Sequence, residues 1–252
     1  MIHQEQQDHV LRLTLARPDK KNALTPTMYA ELAQALEQVK NNTNIKAVLL
    51  QGSEGVFTAG NDINEFMRAD AAPDFAATRD FMYALVDCPV PVVAKVEGLA
   101  IGIGTTLLLH CDFVYTSSNS IFAMPFINLG LVPEYASSYL LPKLCGRLKA
   151  NELLLLGDSF NAEQALHYGI VNQVLDGASL QDMVETRLKT LTAKPYRAMV
   201  QAKMLLNHDR TALVAHIEAE LKVFAEAMLS PQAREAFTAF AEKRPLNREI
   251  FN

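Results

Sequence analysis

Short apolar runs that end at or near glycine recur along the chain, and they constrain its fold more than any other feature. Two of them, Ile45–Gly52 and Val90–Gly98, are mostly apolar and do not alternate regularly with polar residues. Such runs are typical of parallel strands that are buried on both faces. Three further runs also predict strands: Asp112–Ser117, Ser120–Met124 and Gly169–Leu175. Because helical segments separate these runs, the sequence predicts an α/β fold with parallel pairing.

Strand and helix signals also precede and interrupt this region. Apolar residues of Val10–Leu15 alternate in part with polar ones, which predicts a half-exposed strand. Thr25 followed by Pro26 predicts the cap and first residue of a helix. Another helix is predicted over Phe75–Asp87.

The C-terminal part of the chain is predicted to be helical. Ser179 predicts a helix cap, Pro195 predicts an interruption, and Thr211–Leu229 is strongly amphipathic. Ser230, followed by proline, starts a last helix. The apolar face of these helices must be buried, either against the chain's own core or against a neighbouring subunit.

Composition excludes several classes of protein. The 23 basic and 28 acidic residues give a net charge of -5, which argues against a nucleic-acid partner. The most apolar stretch, Leu99–Leu109, is too short to span a membrane, and the N-terminus lacks a signal-peptide pattern. The three cysteines, which lie far apart in the sequence, are typical of reduced thiols, so we expect a cytoplasmic protein.

Motifs for metal, nucleotide and serine-nucleophile chemistry are missing from the sequence. It has no phosphate-binding GxxxxGK[ST] loop, no HExxH and no GxSxG, and its six histidines show no ligand spacing. The segment Gly102–Gly104 lacks the third glycine of a dinucleotide-binding fingerprint. We therefore expect no metal site.

Two glycine-containing turns carry a common design. The segments Val56–Phe66 and Val96–Phe113 each follow a predicted strand and lead into a predicted helix. The N-terminus of a helix presents unpaired N–H groups and the positive end of the helix dipole. Two such ends aimed at one point would form an oxyanion hole. They are otherwise two ordinary strand-to-helix turns, and the pattern alone leaves both interpretations open.

The acid Glu134 stands among apolar and aromatic residues and directly follows Pro133. Pro133 predicts that Glu134 lies in the first turn of a helix, where an acid stabilises the helix dipole. A carboxylate in apolar surroundings should also have its pKa raised by desolvation. That would suit a general base that works near neutral pH.

Several segments together resemble the crotonase (enoyl-CoA hydratase/isomerase) superfamily: RPDKKNAL, FTAGNDI, VEGLAIGIG with CDFVY, AMPFINLGLVPEYASSYLLPKLCG and ELLLLGDSFNAEQALHYGIVNQV. The resemblance is closest to the peroxisomal-type delta3-delta2-enoyl-CoA isomerase branch. It implies a crotonase-like spiral of ββα units over residues 1–195 that binds acyl-CoA. Residues 196–252 would form a C-terminal helical region that closes the CoA site and assembles the chain into a homotrimer or a dimer of trimers.

The resemblance also implies site residues. It makes Glu134 the catalytic acid/base, and it makes the backbone N–H groups of Asn61 and Ile103 the oxyanion hole. The residues implied to bind substrate are Ala59, Gly60, Asp62, Ile63, Gly102, Phe126, Tyr135 and Lys20. Tyr135 departs from the branch, which often has glycine there. Its phenol would narrow the acyl pocket or donate a hydrogen bond that lowers the pKa of Glu134.

The carboxylates of the family imply the reaction. Family hydratases carry two glutamates at positions that match Thr106 and Phe126, and neither residue is acidic here. We therefore expect an isomerase that moves a double bond from 3-enoyl-CoA to trans-2-enoyl-CoA in acyl-CoA degradation, with no cofactor beyond the CoA of the substrate. The alternatives are another reaction of the family, such as hydration or a ring-modifying isomerisation, and a non-catalytic acyl-CoA-binding subunit.

Overall fold

The computed structural model describes residues 1–67, 75–207 and 209–251. Its strands are β1 (Ile2–Gln7), β2 (Val10–Leu15), β3 (Ala47–Gly52), β4 (Val92–Val96), β5 (Leu99–Ile101), β6 (Phe113–Ser117), β7 (Ile121–Ala123), β8 (Phe160–Asn161) and β9 (Gln173–Leu175). Its helices are α1 (Pro26–Lys40), α2 (Ile63–Met67), α3 (Ala76–Val86), α4 (Ile103–Thr106), α5 (Ser137–Cys145), α6 (Arg147–Leu156), α7 (Ala162–His167), α8 (Gly177–Thr192), α9 (Tyr196–Leu206), α10 (Arg210–Met228) and α11 (Pro231–Glu242).

The strands form two sheets. The larger sheet has the order β1-β2-β3-β4-β6-β9, in which β1 and β2 pair antiparallel and the remaining neighbours pair parallel. The smaller sheet has the order β5-β7-β8. The chain passes from β4 to β5 and from β6 to β7, so it repeatedly leaves the larger sheet for the smaller one. This path is the spiral of ββα units that the sequence predicts.

Helices bury both faces of the larger sheet. One face packs with α1 and α3 in the main core, and the other is covered by α8 through apolar residues that include Leu180, Val184 and Leu188. Burial on both faces explains why the strand runs are continuously apolar. The helices α10 and α11 bury Ile217, Phe224 and other residues in the main core, so this tail covers the chain's own core. Assembly into trimers stays a prediction.

Most predicted elements are confirmed with shorter bounds. Thr25 caps α1 by accepting a hydrogen bond from the Met28 N–H at 3.3 Å, and Ser230 caps α11. The prediction of a cap at Ser179 is wrong, because α8 begins at Gly177 after Asp176. The strand β1 was not predicted, since it is an exposed edge strand with little apolar character. In the described ranges, no helix combines the length and low polarity needed to cross a membrane.

Candidate active site

One oxygen of the buried Glu134 carboxyl group has no hydrogen-bond partner among the described residues. The residue is 2% exposed, and its Oε1 accepts no hydrogen bond from any residue that the structure describes. Burial and, to a smaller extent, the negative charge of Glu220 raise the pKa of Glu134 to about 8. A carboxyl group with this pKa can both accept and return a proton near neutral pH.

The prediction that Glu134 lies in the first turn of a helix is wrong. The helix α5 begins at Ser137, and the two residues before it, Tyr135 and Ala136, have φ angles of 58° and 54°. These left-handed conformations turn the chain sharply between Glu134 and α5. The backbone carbonyl of Glu134 accepts a hydrogen bond from the Ser137 N–H at 3.1 Å, which closes the turn.

The two glycine-containing turns lie side by side. The backbone N–H of Thr58 donates to the Leu99 carbonyl at 2.8 Å, and the N–H of Ile101 donates to the Thr58 carbonyl at 3.1 Å. Two residues after Thr58, Gly60 has a φ of 90°. A Cβ atom added at Gly60 would lie 2.6 Å from the carbonyl oxygen of Ile101. The two backbones therefore approach more closely than any side chain would allow.

The turns leave two backbone donors free. Gly102, with a φ of 58° and a ψ of -121°, directs the chain into α4, whose first residue is Ile103. In the described ranges, neither the N–H of Ile103 nor the N–H of Asn61 donates to a protein acceptor. Because the turns are in backbone contact, the two donors lie on neighbouring turns. An oxyanion hole requires two such unpaired donors.

Tyr29 of α1 bonds to the turn that carries Asn61, and it also interacts electrostatically with Glu134. Its hydroxyl donates to Oδ1 of Asn61. Its ring packs against Phe81 at a centroid distance of 5.5 Å, and Phe81 packs against Tyr135 at 6.3 Å. Burial, and then the negative charge of Glu134, raise the pKa of Tyr29 well above its usual value. The phenol therefore remains neutral and a donor, and Glu134 lies close enough to act on it.

Asp62 anchors the first loop through polar contacts. Its Oδ2 pairs with Nη1 of Arg17 at 2.7 Å, and its Oδ1 accepts from the backbone N–H of Asn64 at 3.0 Å. Burial acts to raise the pKa of Asp62, but the hydrogen bonds from Arg17 and Asn64 outweigh it, so the pKa is lowered. These contacts show that the side chain of Asp62 orients the loop, whereas its predicted contact with substrate stays a prediction.

Ala59 and Ile63 lie on either side of Asn61 and contact different parts of the protein. The backbone N–H of Ala59 donates to the carbonyl of Lys21 at 2.9 Å, which places the exposed Lys20 on the same rim of the protein. Ile63 begins α2 and is half-buried against the main core. An exposed cation on this rim is compatible with a phosphate ligand.

The structure corrects one expectation for Tyr135. Its hydroxyl donates to the backbone carbonyl of Met82 at 2.9 Å, and its ring stacks on His110 at 3.8 Å between centroids. The phenol therefore does not donate to Glu134, and it does not lower the pKa of that residue. Tyr135 instead ties the loop of Glu134 to Met82 and His110.

Aromatic side chains pack beside Gly102, the residue that precedes the second donor, Ile103. The Phe126 ring is 3.8 Å from the position that a Cβ on Gly102 would take, and it packs edge-on against Phe224 of α10. Phe75 packs against the same ring of Phe224 at 5.8 Å. Thr106, which stands one turn after Gly102, is fully buried, and its hydroxyl has no partner in the described ranges. This side of the site is predominantly apolar.

Sequence reasoning missed two polar residues of the site, Tyr29 and Glu220. Tyr29 follows the buried Met28 on α1, so its hydroxyl was not distinguishable from the core pattern. Glu220 lies on an amphipathic helix that carries other acids, and only the fold brings it to the loop of Glu134. The part of the chain that the structure describes contains no group of three or more His, Cys, Asp or Glu residues that could hold a metal ion.

Comparison with known proteins decides the family. The model of the enoyl-CoA hydratase/isomerase family matches residues 5–249. The chain belongs to the enoyl-CoA hydratase/isomerase family. As a member of this crotonase superfamily, it is an enzyme with the fold that the sequence predicts.

Curated relatives of this family member carry several different names. Enoyl-CoA delta isomerase 2 of Rattus norvegicus is 33% identical over 243 residues, and the match covers 94% of this chain. The chain spans 62% of the length of that rat protein. The 1,2-epoxyphenylacetyl-CoA isomerase of Escherichia coli K12 is 34% identical over 243 residues, which is 93% of each chain.

Solved structures of the same fold cover nearly the whole chain. A structure of Pseudomonas aeruginosa OdaA is 41% identical, has a TM-score of 0.91, and covers 95% of this chain and 98% of its own. An enoyl-CoA hydratase/isomerase from Pseudoalteromonas atlantica T6c is 37% identical with the same TM-score, and covers 98% of both chains. The crotonase fold is therefore shown.

Proposed function

We propose that this enzyme moves the double bond of a 3-enoyl-CoA to give trans-2-enoyl-CoA, as a step in the degradation of acyl-CoA. The observation that carries the proposal is the buried carboxyl group of Glu134, whose Oε1 has no hydrogen-bond partner in the described ranges. The unpaired backbone N–H groups of Asn61 and Ile103 would complete the site. A double-bond shift needs one group that removes and returns a proton, and donors for the thioester oxygen.

The chemistry balances with this one carboxyl group. The Glu134 carboxylate takes a proton from C2, and the electron pair of that C–H bond moves into the C1–C2 bond while the thioester oxygen becomes negative. The N–H groups of Asn61 and Ile103 stabilise this dienolate. Protonated Glu134 then delivers its proton to C4, the double bond forms between C2 and C3, and the thioester carbonyl is restored.

The other residues of the site support this assignment. Thr106 and Phe126 stand where family hydratases carry glutamates, and neither can activate water. The apolar wall of Phe126 and Phe224 suits the acyl chain of the substrate, and Lys20 lies on the exposed rim where a CoA phosphate would bind. Proton transfer of this kind requires no metal, flavin or nicotinamide. Residues 196–252 would close the CoA site and carry the contacts of a trimer.

The test supplies 3-enoyl-CoA and trans-2-enoyl-CoA separately, each with a short and a long acyl chain. We expect 3-enoyl-CoA to be converted to trans-2-enoyl-CoA, and Glu134→Gln to lower kcat by about 10²–10⁴-fold. The exposed Glu163→Gln on α7 serves as the matched control. Formation of 3-hydroxyacyl-CoA from trans-2-enoyl-CoA, with no turnover of 3-enoyl-CoA, would overturn the proposal in favour of a hydratase. Acyl-CoA binding without any turnover would favour a non-catalytic subunit.

A further inference from the structure

A second carboxyl group, that of Glu220 on α10, contacts the segment that follows Glu134. Its Oε1 accepts a hydrogen bond from the backbone N–H of Ser138 at 3.0 Å and another from the Ser138 hydroxyl. The neighbouring Ser137 donates its N–H to the carbonyl of Glu134 at 3.1 Å. One carboxylate oxygen of Glu220 therefore caps the first turn of α5, to which the loop of Glu134 is bonded.

The other oxygen of Glu220 is left without a partner. Its Oε2 is buried, and in the described ranges it accepts no hydrogen bond, as is also the case for Oε1 of Glu134. Burial raises the pKa of Glu220, although hydrogen bonds from Ser138 and from the backbone of Ala136 act in the opposite direction. The charge of Glu220 in turn contributes to the raised pKa of Glu134. Glu220 therefore bonds the segment that follows Glu134 and also acts electrostatically on its carboxyl group.

The other groups near this pair are mostly neutral or already engaged. Tyr29 and Tyr135 are both affected by the charge of Glu134, and burial keeps both phenols protonated. His216 lies one turn before Glu220 on α10, stacks on Tyr139 of α5 and acts to lower the pKa of Glu220. Lys143 of α5 lies over the Tyr139 ring and pairs with Asp209 at 3.3 Å. Tyr83 of α3 is bonded to Glu218 on α10.

We propose that Glu220 is a positioning residue for proton transfer by Glu134: its carboxylate anchors the segment that follows Glu134 through two hydrogen bonds from Ser138, and so places a negative charge next to the loop of the base. The inference rests on the proposed function, because that function assigns the proton transfer to Glu134. It gives the C-terminal helical region a part in the chemistry in addition to covering the core.

The substitution Glu220→Gln separates charge from structure. Its amide oxygen can still accept from Ser138, but the negative charge is gone. In a profile of kcat/KM for 3-enoyl-CoA against pH, we expect the acidic limb to move to lower pH. We also expect a lower plateau, since a weaker base transfers the proton more slowly. The exposed Glu226→Gln on the same helix should keep the wild-type profile.

A second variant tests the anchor. Ser138→Ala removes the hydroxyl donor but keeps the charge of Glu220, so we expect a lower kcat with the acidic limb near its wild-type position. An unchanged limb in Glu220→Gln would overturn the proposal. Loss of turnover at every pH, with acyl-CoA binding retained, would also overturn it, because Glu220 would then exchange protons itself.

A spectroscopic measurement keeps this inference separate from the proposed function. The carboxyl band of Glu134 can be titrated by infrared difference spectroscopy and assigned by its loss in Glu134→Gln. We expect the midpoint to be lower in Glu220→Gln than in the wild type, whichever substrate the enzyme uses. An identical midpoint would overturn the role of Glu220 even if 3-enoyl-CoA is turned over. A lower midpoint without turnover of 3-enoyl-CoA would overturn the proposed reaction alone.

Discussion

Gly60 and Ile101 are in backbone contact, and a Cβ atom at Gly60 would lie 2.6 Å from the carbonyl oxygen of Ile101. This contact places the Asn61 turn against the turn that leads to Ile103. The unpaired N–H groups of Asn61 and Ile103 therefore lie on two turns that touch through backbone atoms. The proposed oxyanion hole thus depends on a glycine that makes no polar side-chain contact.

The substitution Gly60→Ala should damage the oxyanion hole. The added methyl group would separate the two turns, and alanine is strained at a φ of 90°. We expect kcat to fall by about 10²–10³-fold, the cost of one lost donor. Gly146→Ala is the matched control, since Gly146 has a φ of 79° but no atom within 4 Å of the added Cβ. Wild-type kcat in Gly60→Ala would show that the contact does not position the donors.

The rate should depend on the ionisation of Glu134. The pKa of this group is raised to about 8, so the carboxylate that removes the C2 proton is a minority form at neutral pH. We expect kcat/KM to rise with pH and to level off above about pH 8. Stopped-flow or steady-state assays of 3-enoyl-CoA turnover across this range provide the measurement. A rate that is flat between pH 6 and pH 9 contradicts the assignment of Glu134 as the base.

The same burial should make the fold less stable at alkaline pH. A carboxyl group whose pKa rises from 4.5 in the unfolded chain to about 8 in the folded chain favours folding fully below pH 4.5. This contribution is lost as the pH rises through 8. We expect Glu134→Gln to be more stable than the wild type at pH 9, by on the order of a few kcal/mol, and to match it near pH 4.5. Urea unfolding at both pH values tests this, and equal stability at pH 9 would contradict it.

A partly buried ion pair fixes α9 beside the segments that lead into β4 and β6. Nζ of Lys203, which is 7% exposed, lies 2.6 Å from Oδ2 of Asp112 and 2.9 Å from the Val90 carbonyl. We expect Lys203→Met to lower the free energy of unfolding by about 3 kcal/mol, because Asp112 loses its cation. The kcat of the folded variant should be nearly unchanged. The exposed Lys222→Met is the control, and a loss of kcat without a loss of stability would contradict this structural role.

The sequence contains enough information for the fold and for the burial of Glu134, but not for every contact. Continuous apolar runs identify the buried parallel strands, and an acid among apolar residues identifies Glu134. The orientation of Tyr135 was not predictable, because its left-handed backbone turns the phenol toward Met82. Glu220 was not predictable either, since the packing of α10 on α5 brings together residues that are 82 positions apart.

Exchange of the C2 hydrogens of 3-enoyl-CoA in heavy water tests the central claim most directly, because it reports proton removal by Glu134 before any product is counted. The account predicts that the wild type incorporates deuterium at C2 and C4, and that Glu134→Gln binds the same acyl-CoA but incorporates none. Deuterium incorporation by Glu134→Gln at the wild-type rate would contradict it.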